Sequence, residues 1–330
     1  MAEKVTIATV ARHARVSRQT VSNVLNAPHI VREETRQRVQ EAIAALGYRA
    51  SQAARQMRTG RSRLIAVRIE PTRDGINGSV LDRFLHGLTE TAEAAGYRTM
   101  LYTASDTARE IAAYDDLLSA YDLDGFVLTG THHGDPRTAW LAERGVAFVT
   151  FGRPWDDPEA HPWVDVDGAA GTGRATGHLL ARGHRRIGFL GWPAGSGVGD
   201  DRRAGWREAL RAAGIDPTGL DRETEDGIAE GERSMRDLLA TDAPPTAVVC
   251  ASDSLALGAL QAVRAADPPV AVVGFDDTPV AAAVGLTSVS QPLGDAAARC
   301  VDLLTAVLDG DQQTPAPVLL QPSLVLRHTA

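Results

Sequence analysis

Arg18, Gln19, Ser22 and Asn23 fall on one face of a helix whose other face carries Val21, Val24 and Leu25. Arg, Gln and Asn are the side chains that can grip guanine and adenine edges through paired hydrogen bonds in the major groove of DNA. Ser17, just ahead of them, is a good helix N-cap. Other residues invite catalytic readings that their spacing does not support. Asp276 and Asp277 look like a carboxylate pair, but neighbours at a strand end point to opposite sides. One can face a ligand while the other caps a loop. Gly195-Ser196-Gly197-Val198-Gly199 looks like a phosphate loop, yet no Lys-Ser/Thr follows and the glycine spacing misses the dinucleotide fingerprint. It reads as a ligand-cleft loop. Gly171-Thr172-Gly173 fits a helix entry, Gly183-His184-Arg185-Arg186 a surface turn, and His132-His133 a loop. With no nucleophile elbow and no metal-spaced histidines, the expectation is no enzyme, no cofactor and no metal.

Ile7, Val10, Ala11 and Ala14 make the stripe of a first amphipathic helix ahead of the polar one. A third, about Glu33 to Leu46, buries Val39, Ala42, Ile43 and Leu46 and stops near Gly47. Three short helices around a small core thus position the polar face. Charge separates this region from the rest. Residues 1–63 hold twelve basic and four acidic groups, a balance of +8. That leaves 22 basic and 38 acidic groups beyond them, a balance of −16. The cationic end suits phosphate and the anionic body repels it. From Leu64 onward apolar strands alternate with helices, the pattern of parallel sheets covered on both faces, whose ligands sit beyond the strands' carboxyl ends. A length of 330 residues suggests two or three domains. No apolar run is long enough for a membrane span, and no signal core follows Met1, so a cytoplasmic location is expected. Cys250 and Cys300 are too few for a disulfide scaffold.

The run Val5-Thr6-Ile7-Ala8, Val10-Ala11, Val16-Ser17, Gln19-Thr20-Val21-Ser22, Val24-Leu25-Asn26 resembles the headpiece of the LacI/GalR family of bacterial repressors, and Thr35-Arg36 and Leu46-Gly47-Tyr48 continue the pattern. The body carries further matches in Gly177-His178-Leu179, Ala204-Gly205-Trp206, Ser252-Asp253 and Val273-Gly274-Phe275-Asp276-Asp277. The resemblance implies a helix-turn-helix headpiece at 1–49 and a hinge helix or linker at 50–60. It also implies an α/β bilobed periplasmic-binding-protein-like body, with lobes at 61–164 with 292–321 and 165–291 with 322–330. Crossovers are expected near Val164–Asp167, Ser290–Pro292 and Gln321–Ser323. By the same resemblance Arg18, Gln19 and Asn23 read bases, and Thr6, Ser17, Thr20, Ser22 and Asn26 are candidate phosphate contacts. Ala54 and Met57 belong to the hinge, where Met57 would wedge into the minor groove. Two residues depart from the pattern: Arg15 where the family has a turn glycine, and Arg32 where it has a capping hydroxyl. Both are expected to cost stability.

Carried over residue by residue, the resemblance makes Arg202 and Asp276 the polar anchors of a cleft, with Glu70, Phe84, Thr129, Ser252 and Asp253 along it. Trp155, Trp163 and Trp192 fall around them, and for Trp163 core filling is an equal alternative. Indole faces with Arg, Asp and Ser partners suit a sugar ring. The expected ligand is a neutral di- or oligosaccharide such as cellobiose. The expected partner is palindromic operator DNA, bound by a homodimer and released when the effector closes the lobes. The chain's end soon after His328, without a heptad tail, favours a dimer over a tetramer. Alternatives are a purine or other ligand, a corepressor logic, or a cytoplasmic sugar-binding protein or enzyme.

Overall fold

The computed structural model describes residues 5–48, 60–69, 76, 78–264, 269–310 and 316–330. Ala54, Met57 and the hinge around them, and Glu70, lie outside the described residues. The chain divides into two compact units, Met1–Ser62 and Arg63–Ala330.

In the first unit, helices α1 (Ile7–Ala14), α2 (Arg18–Asn26) and α3 (Glu33–Leu46) enclose a core of Val10, Ala11, Ala14, Val21, Val24, Val39 and Ala42. Thr6 and Thr9 cap α1 reciprocally, and Ser17 caps α2 by accepting from the Thr20 amide at 3.0 Å. Leu25, expected on the buried face, is 38% exposed. One residue beyond Val24, it has turned about 100° around the helix, past the edge of the core stripe. Arg32 precedes α3 without a side-chain cap, and Gly47 closes that helix with φ +61°.

The α1–α2 turn needs a left-handed residue, and Arg15 occupies it at φ 54°, ψ 48°. A side chain there costs about 1–2 kcal/mol, part of which glycine's greater unfolded-state freedom offsets. Arg15→Gly is therefore expected to stabilise this unit by about 1 kcal/mol, or about 4–8 °C for a domain of this size. Thermal unfolding followed by hydrogen exchange at the α1 and α2 amides checks it.

The second unit holds two sheets. In the first, parallel strands run in the order β11-β5-β4-β3-β1-β2, comprising β1 (Leu64–Ile69), β2 (Arg98–Thr103), β3 (Gly125–Thr129), β4 (Ala147–Phe151), β5 (Trp163–Val166) and β11 (Val318–Leu320). In the second the order is β12-β10-β9-β8-β6-β7, with β6 (Ile187–Gly191), β7 (Asp221–Glu223), β8 (Ala247–Cys250), β9 (Ala271–Phe275), β10 (Thr287–Ser290) and β12 (Ser323–Val325). Only β12 pairs antiparallel among these strands. Each sheet has its own apolar core, one around Phe84, Val127, Val149 and Leu304, the other around Phe189, Trp206, Val249 and Phe275. The two lobes are therefore separately packed bodies.

Three segments join the lobes, between Val166 and Gly168, between Ser290 and Leu293, and between Leu320 and Ser323. They are knitted together: the Asp167 amide donates to Leu320 O at 2.9 Å, and Gln321 Nε2 donates to Asp167 at 3.1 Å. Three adjacent crossings restrain shear and leave hinge bending as the soft motion between lobes.

Candidate functional site

On the headpiece, Arg18 and Gln19 are exposed at the first turn of α2. Arg18 makes no hydrogen bond or ion pair among the described residues, so its five donors are open to a partner. Gln19 Nε2 donates to Asn23 Oδ1 at 2.9 Å, which ties together, one turn apart, the two amides expected to read bases. Ser17 and Thr20 hydroxyls lie 2.9 Å apart, and Asn26 Nδ2 donates to Ser22 O at 2.7 Å. Thr6, Ser17 and Asn26 therefore have structural work within their own helices, besides any contact with phosphate.

In the body, each sheet reverses its winding direction once, between β1 and β3 in the first lobe and between β6 and β8 in the second. Ligands of such sheets sit at the carboxyl ends of the strands flanking that reversal. Those ends are Ile69 and Thr129 in one lobe, Gly191 and Cys250 in the other. A cavity of about 1200 Å³ opens there, lined by Ile69, Thr129, Phe151, Trp155, Trp192, Arg202, Asp226, Asp276 and Gln291, among others. The structure thus brings Phe84, Thr129, Trp155, Trp192, Arg202 and Asp276 to one cavity. Phe84, fully buried on helix α4 (Gly78–Ala94), stacks on Phe151 at 4.5 Å and forms an apolar wall.

Arg202 is the central cation. It lies on the helix Val198–Ala212, is 6% exposed, and places its guanidinium 3.7 Å from the Phe275 ring and 5.2 Å from that of Trp192. One Nη1 donates to Ala251 O and stands 3.7 Å from Asp276 Oδ1. Asp276 is held in turn by Gln291 Nε2 at 2.7 Å, and its carbonyl accepts from Arg83 across the lobes at 2.6 Å. Its backbone has φ +111°, a strained value for a side-chain-bearing residue and of a kind that collects at functional positions. Asp277 turns away and pairs with Arg327 at 2.6 Å. The adjacent aspartates thus point different ways, but through the positive-φ turn that follows β9 and not through strand alternation.

Burial pushes the Asp276 carboxyl up to about 8, against the pull of Arg202. Native protein then holds this proton where unfolded chain has lost it. The group's contribution to stability is complete below about pH 4 and is lost as pH rises through about 8. Asp276→Asn is expected to flatten the fall of the urea midpoint between pH 5 and 8. An unchanged slope would mean another group carries it.

Two cleft expectations need correcting. Ser252 and Asp253 are fully buried behind the cavity and do not line it. Ser252 caps the next helix through the Leu255 amide and donates to Asp226, so it acts on the cavity only through that carboxylate. Asp253 accepts from the Thr278 amide at 2.7 Å and from Ser288 Oγ at 2.6 Å, fixing the loop after β9. For Ser252 the reason is positional, since an N-cap side chain turns back onto its own helix's amides, while Asp253 is drawn away by partners beyond β9. Trp163 fills the first lobe, its Nε1 donating to Pro158 O at 2.9 Å.

Motif reading overlooked Asp226, Gln291, Arg83, Arg153 and Asp201. Gln291 could have been found as a crossover residue, and Arg153 as one just past the carboxyl end of β4. The others carry no local signal. In the glycine loop at 195–199, two of the amides an anion would use already face protein oxygens. The Gly195 amide donates to Asp200 at 2.8 Å and that of Gly199 to Ser196 Oγ at 2.9 Å.

Residues 6–51 match the model of bacterial regulatory proteins of the lacI family, and residues 176–330 match that of a periplasmic binding protein-like domain. The chain is 34% identical to the HTH-type transcriptional regulator CelR of Thermobifida fusca, over 98% of each chain. A solved CelR–cellobiose complex has 31% identity and a TM-score of 0.74, covering 99% of this chain and 100% of that one. The lac repressor dimer bound to operator and the anti-inducer ONPF has 27% identity and a TM-score of 0.85, over 99% of each chain.

Proposed function

The chain belongs to the lacI family of bacterial regulatory proteins and is a DNA-binding transcriptional regulator, and from that premise we propose that it represses carbohydrate-utilisation genes and is released from DNA by a neutral sugar. The operator is a palindrome bound by a homodimer, whose two-fold symmetry it mirrors. Arg18, Gln19 and Asn23 read bases; Thr6, Ser17, Thr20, Ser22 and Asn26 hold phosphates; Ala54 and Met57 enter the minor groove. The effector lies between the lobes against Glu70, Phe84, Thr129, Trp155, Trp192, Arg202 and Asp276. The module division follows the sequence reading of a headpiece, a hinge and two lobes, with the first lobe extended past 164 because its sheet keeps β5 to Val166. A cytoplasmic location accompanies this role, and no catalytic activity is assigned.

The observation that carries the effector class is the charge of the cavity. Among the described residues its lining has six carboxylates besides the proton-holding Asp276, and one guanidinium, Arg202, which is itself buried beside Asp276. Such a lining repels phosphorylated sugars and nucleotides. It accepts the hydroxyl rim of a neutral sugar, whose apolar ring face suits Trp155, Trp192, Phe84 and Phe151. A space of about 1200 Å³ takes at least two sugar rings. The CelR complex supports cellobiose as the first candidate.

Calorimetric titration of cellobiose, other neutral disaccharides, purines and sugar phosphates tests this reading. Binding by purines or sugar phosphates with none by neutral sugars refutes it. A gel-shift titration on an operator selected from a palindromic library gives the sign, since a fall in DNA affinity is expected and a rise would make the ligand a corepressor.

A further inference from the structure

Trp155 and Arg153 belong to the first lobe, just past β4; Gly197 and Asp201 belong to the second, at the entry and first turn of the helix Val198–Ala212. These four residues meet. Gly197 has φ +44°, and a Cβ built on it would lie 2.6–2.7 Å from Cε2, Nε1 and Cδ2 of the Trp155 indole. Near-equal distances to three ring atoms place that point over the ring, closer than a real Cβ approaches. The bare backbone of Gly197 is thus the seat of an indole from the opposite lobe. The Arg153 guanidinium stands 4.9 Å from the centre of the same indole. Its Nε donates to Asp165 in its own lobe at 2.6 Å, and its Nη2 reaches Asp201 in the other at 3.4 Å. Asp201 also accepts from the Ala169 amide at 3.0 Å. The Arg153 and Asp201 side chains are 21% and 16% exposed, so solvent screens the pair only partly.

We infer that Trp155 and Arg153 clasp Gly197 and Asp201 across the lobes, and that this clasp couples occupancy of the cleft to lobe closure. The coupling rests on the proposed reading that the cavity holds the effector. The indole Nε1 atoms of Trp155 and Trp192, one from each lobe, are buried without a hydrogen-bond partner among the described residues and belong to residues lining the cavity. A hydroxyl-rich ligand supplies acceptors to both. Ligand and clasp then favour the same closed arrangement, and each strengthens the other by linkage. The glycine loop seats the indole and also lines the cavity through Gly195, Ser196 and Val198.

The test uses the full chain with nitroxide labels on exposed sites of opposite lobes, introduced by S119C and E208C; native Cys250 and Cys300 are buried and escape labelling. Inter-lobe distances are measured by pulsed electron resonance, without ligand and with cellobiose. Without ligand, Gly197→Ala and Asp201→Asn are each expected to broaden and lengthen the distance distribution. Adding Gly197→Ala to Trp155→Ala should change it little further, because the indole it displaces is already gone. Asp201→Asn should raise the cellobiose concentration needed for half-release from operator about tenfold, with ligand-free operator affinity not reduced. Unmoved ligand-free distances in both Gly197→Ala and Asp201→Asn overturn the clasp, even if cellobiose binds. Moved distances with no sugar binding by the parent chain leave the clasp standing and refute the effector reading instead.

Discussion

Arg18→Ala is expected to weaken operator binding by about 1–3 kcal/mol for each headpiece, hence about 2–6 kcal/mol for a symmetric dimer. Arg18 is exposed at the amino-terminal end of α2, the part of a recognition helix that enters the major groove first. With no partner among the described residues, it can present two parallel donors to guanine O6 and N7. Losing them should relax discrimination at one symmetric base pair, while the slope of affinity against salt changes by no more than a phosphate contact or so. Fluorescence anisotropy on the selected operator and on each single-pair variant of it, at two salt concentrations, separates these effects. Equal loss on all sequences with a clearly shallower salt slope would make Arg18 a phosphate contact. Gln19 and Asn23 should behave otherwise, because their mutual hydrogen bond means that losing either amide also frees the other.

The second large effect is expected at Arg202. Arg202→Ala removes a guanidinium that faces the cavity, supports Asp276 and packs on two aromatic rings. Breaking a buried charged contact costs about 3–5 kcal/mol. Asp276, with its carboxyl already pushed up by burial, answers by staying protonated, which limits the loss of stability. The effector is expected to bind at least about 100-fold more weakly, about 2.7 kcal/mol. Operator binding without effector should remain within about twofold, because the headpiece core does not involve Arg202. Calorimetry and gel shift on one preparation read both quantities. Parallel loss of DNA and effector binding would mean that Arg202 only maintains the fold.

The headpiece was legible from sequence because its information is local. The apolar spacing of Val10, Ala11, Ala14, Val21 and Val24, the cap at Ser17 and the stop at Gly47 all act within a few residues. The strain at Arg15 was legible only through the family resemblance, whose pattern has a glycine in that turn. Alternation of strands and helices likewise determined two-faced parallel sheets, and hence the ends at which a ligand could lie. What tertiary structure alone decided is which of the polar residues at those ends meet. Ser252 and Asp253 sit in a motif that marks a cleft, yet helix capping and the loop after β9 turn them away from it. Asp226, Gln291 and Arg83 come to the cavity or to Asp276 from distant parts of the chain. Gly197 reads in sequence as one of a run of loop glycines, and only the packing of Trp155 from the other lobe gives it a purpose. Periodicity and capping depend on neighbours along the chain, whereas a cleft between two lobes is made by residues whose proximity depends on how three crossing segments set the lobes against each other.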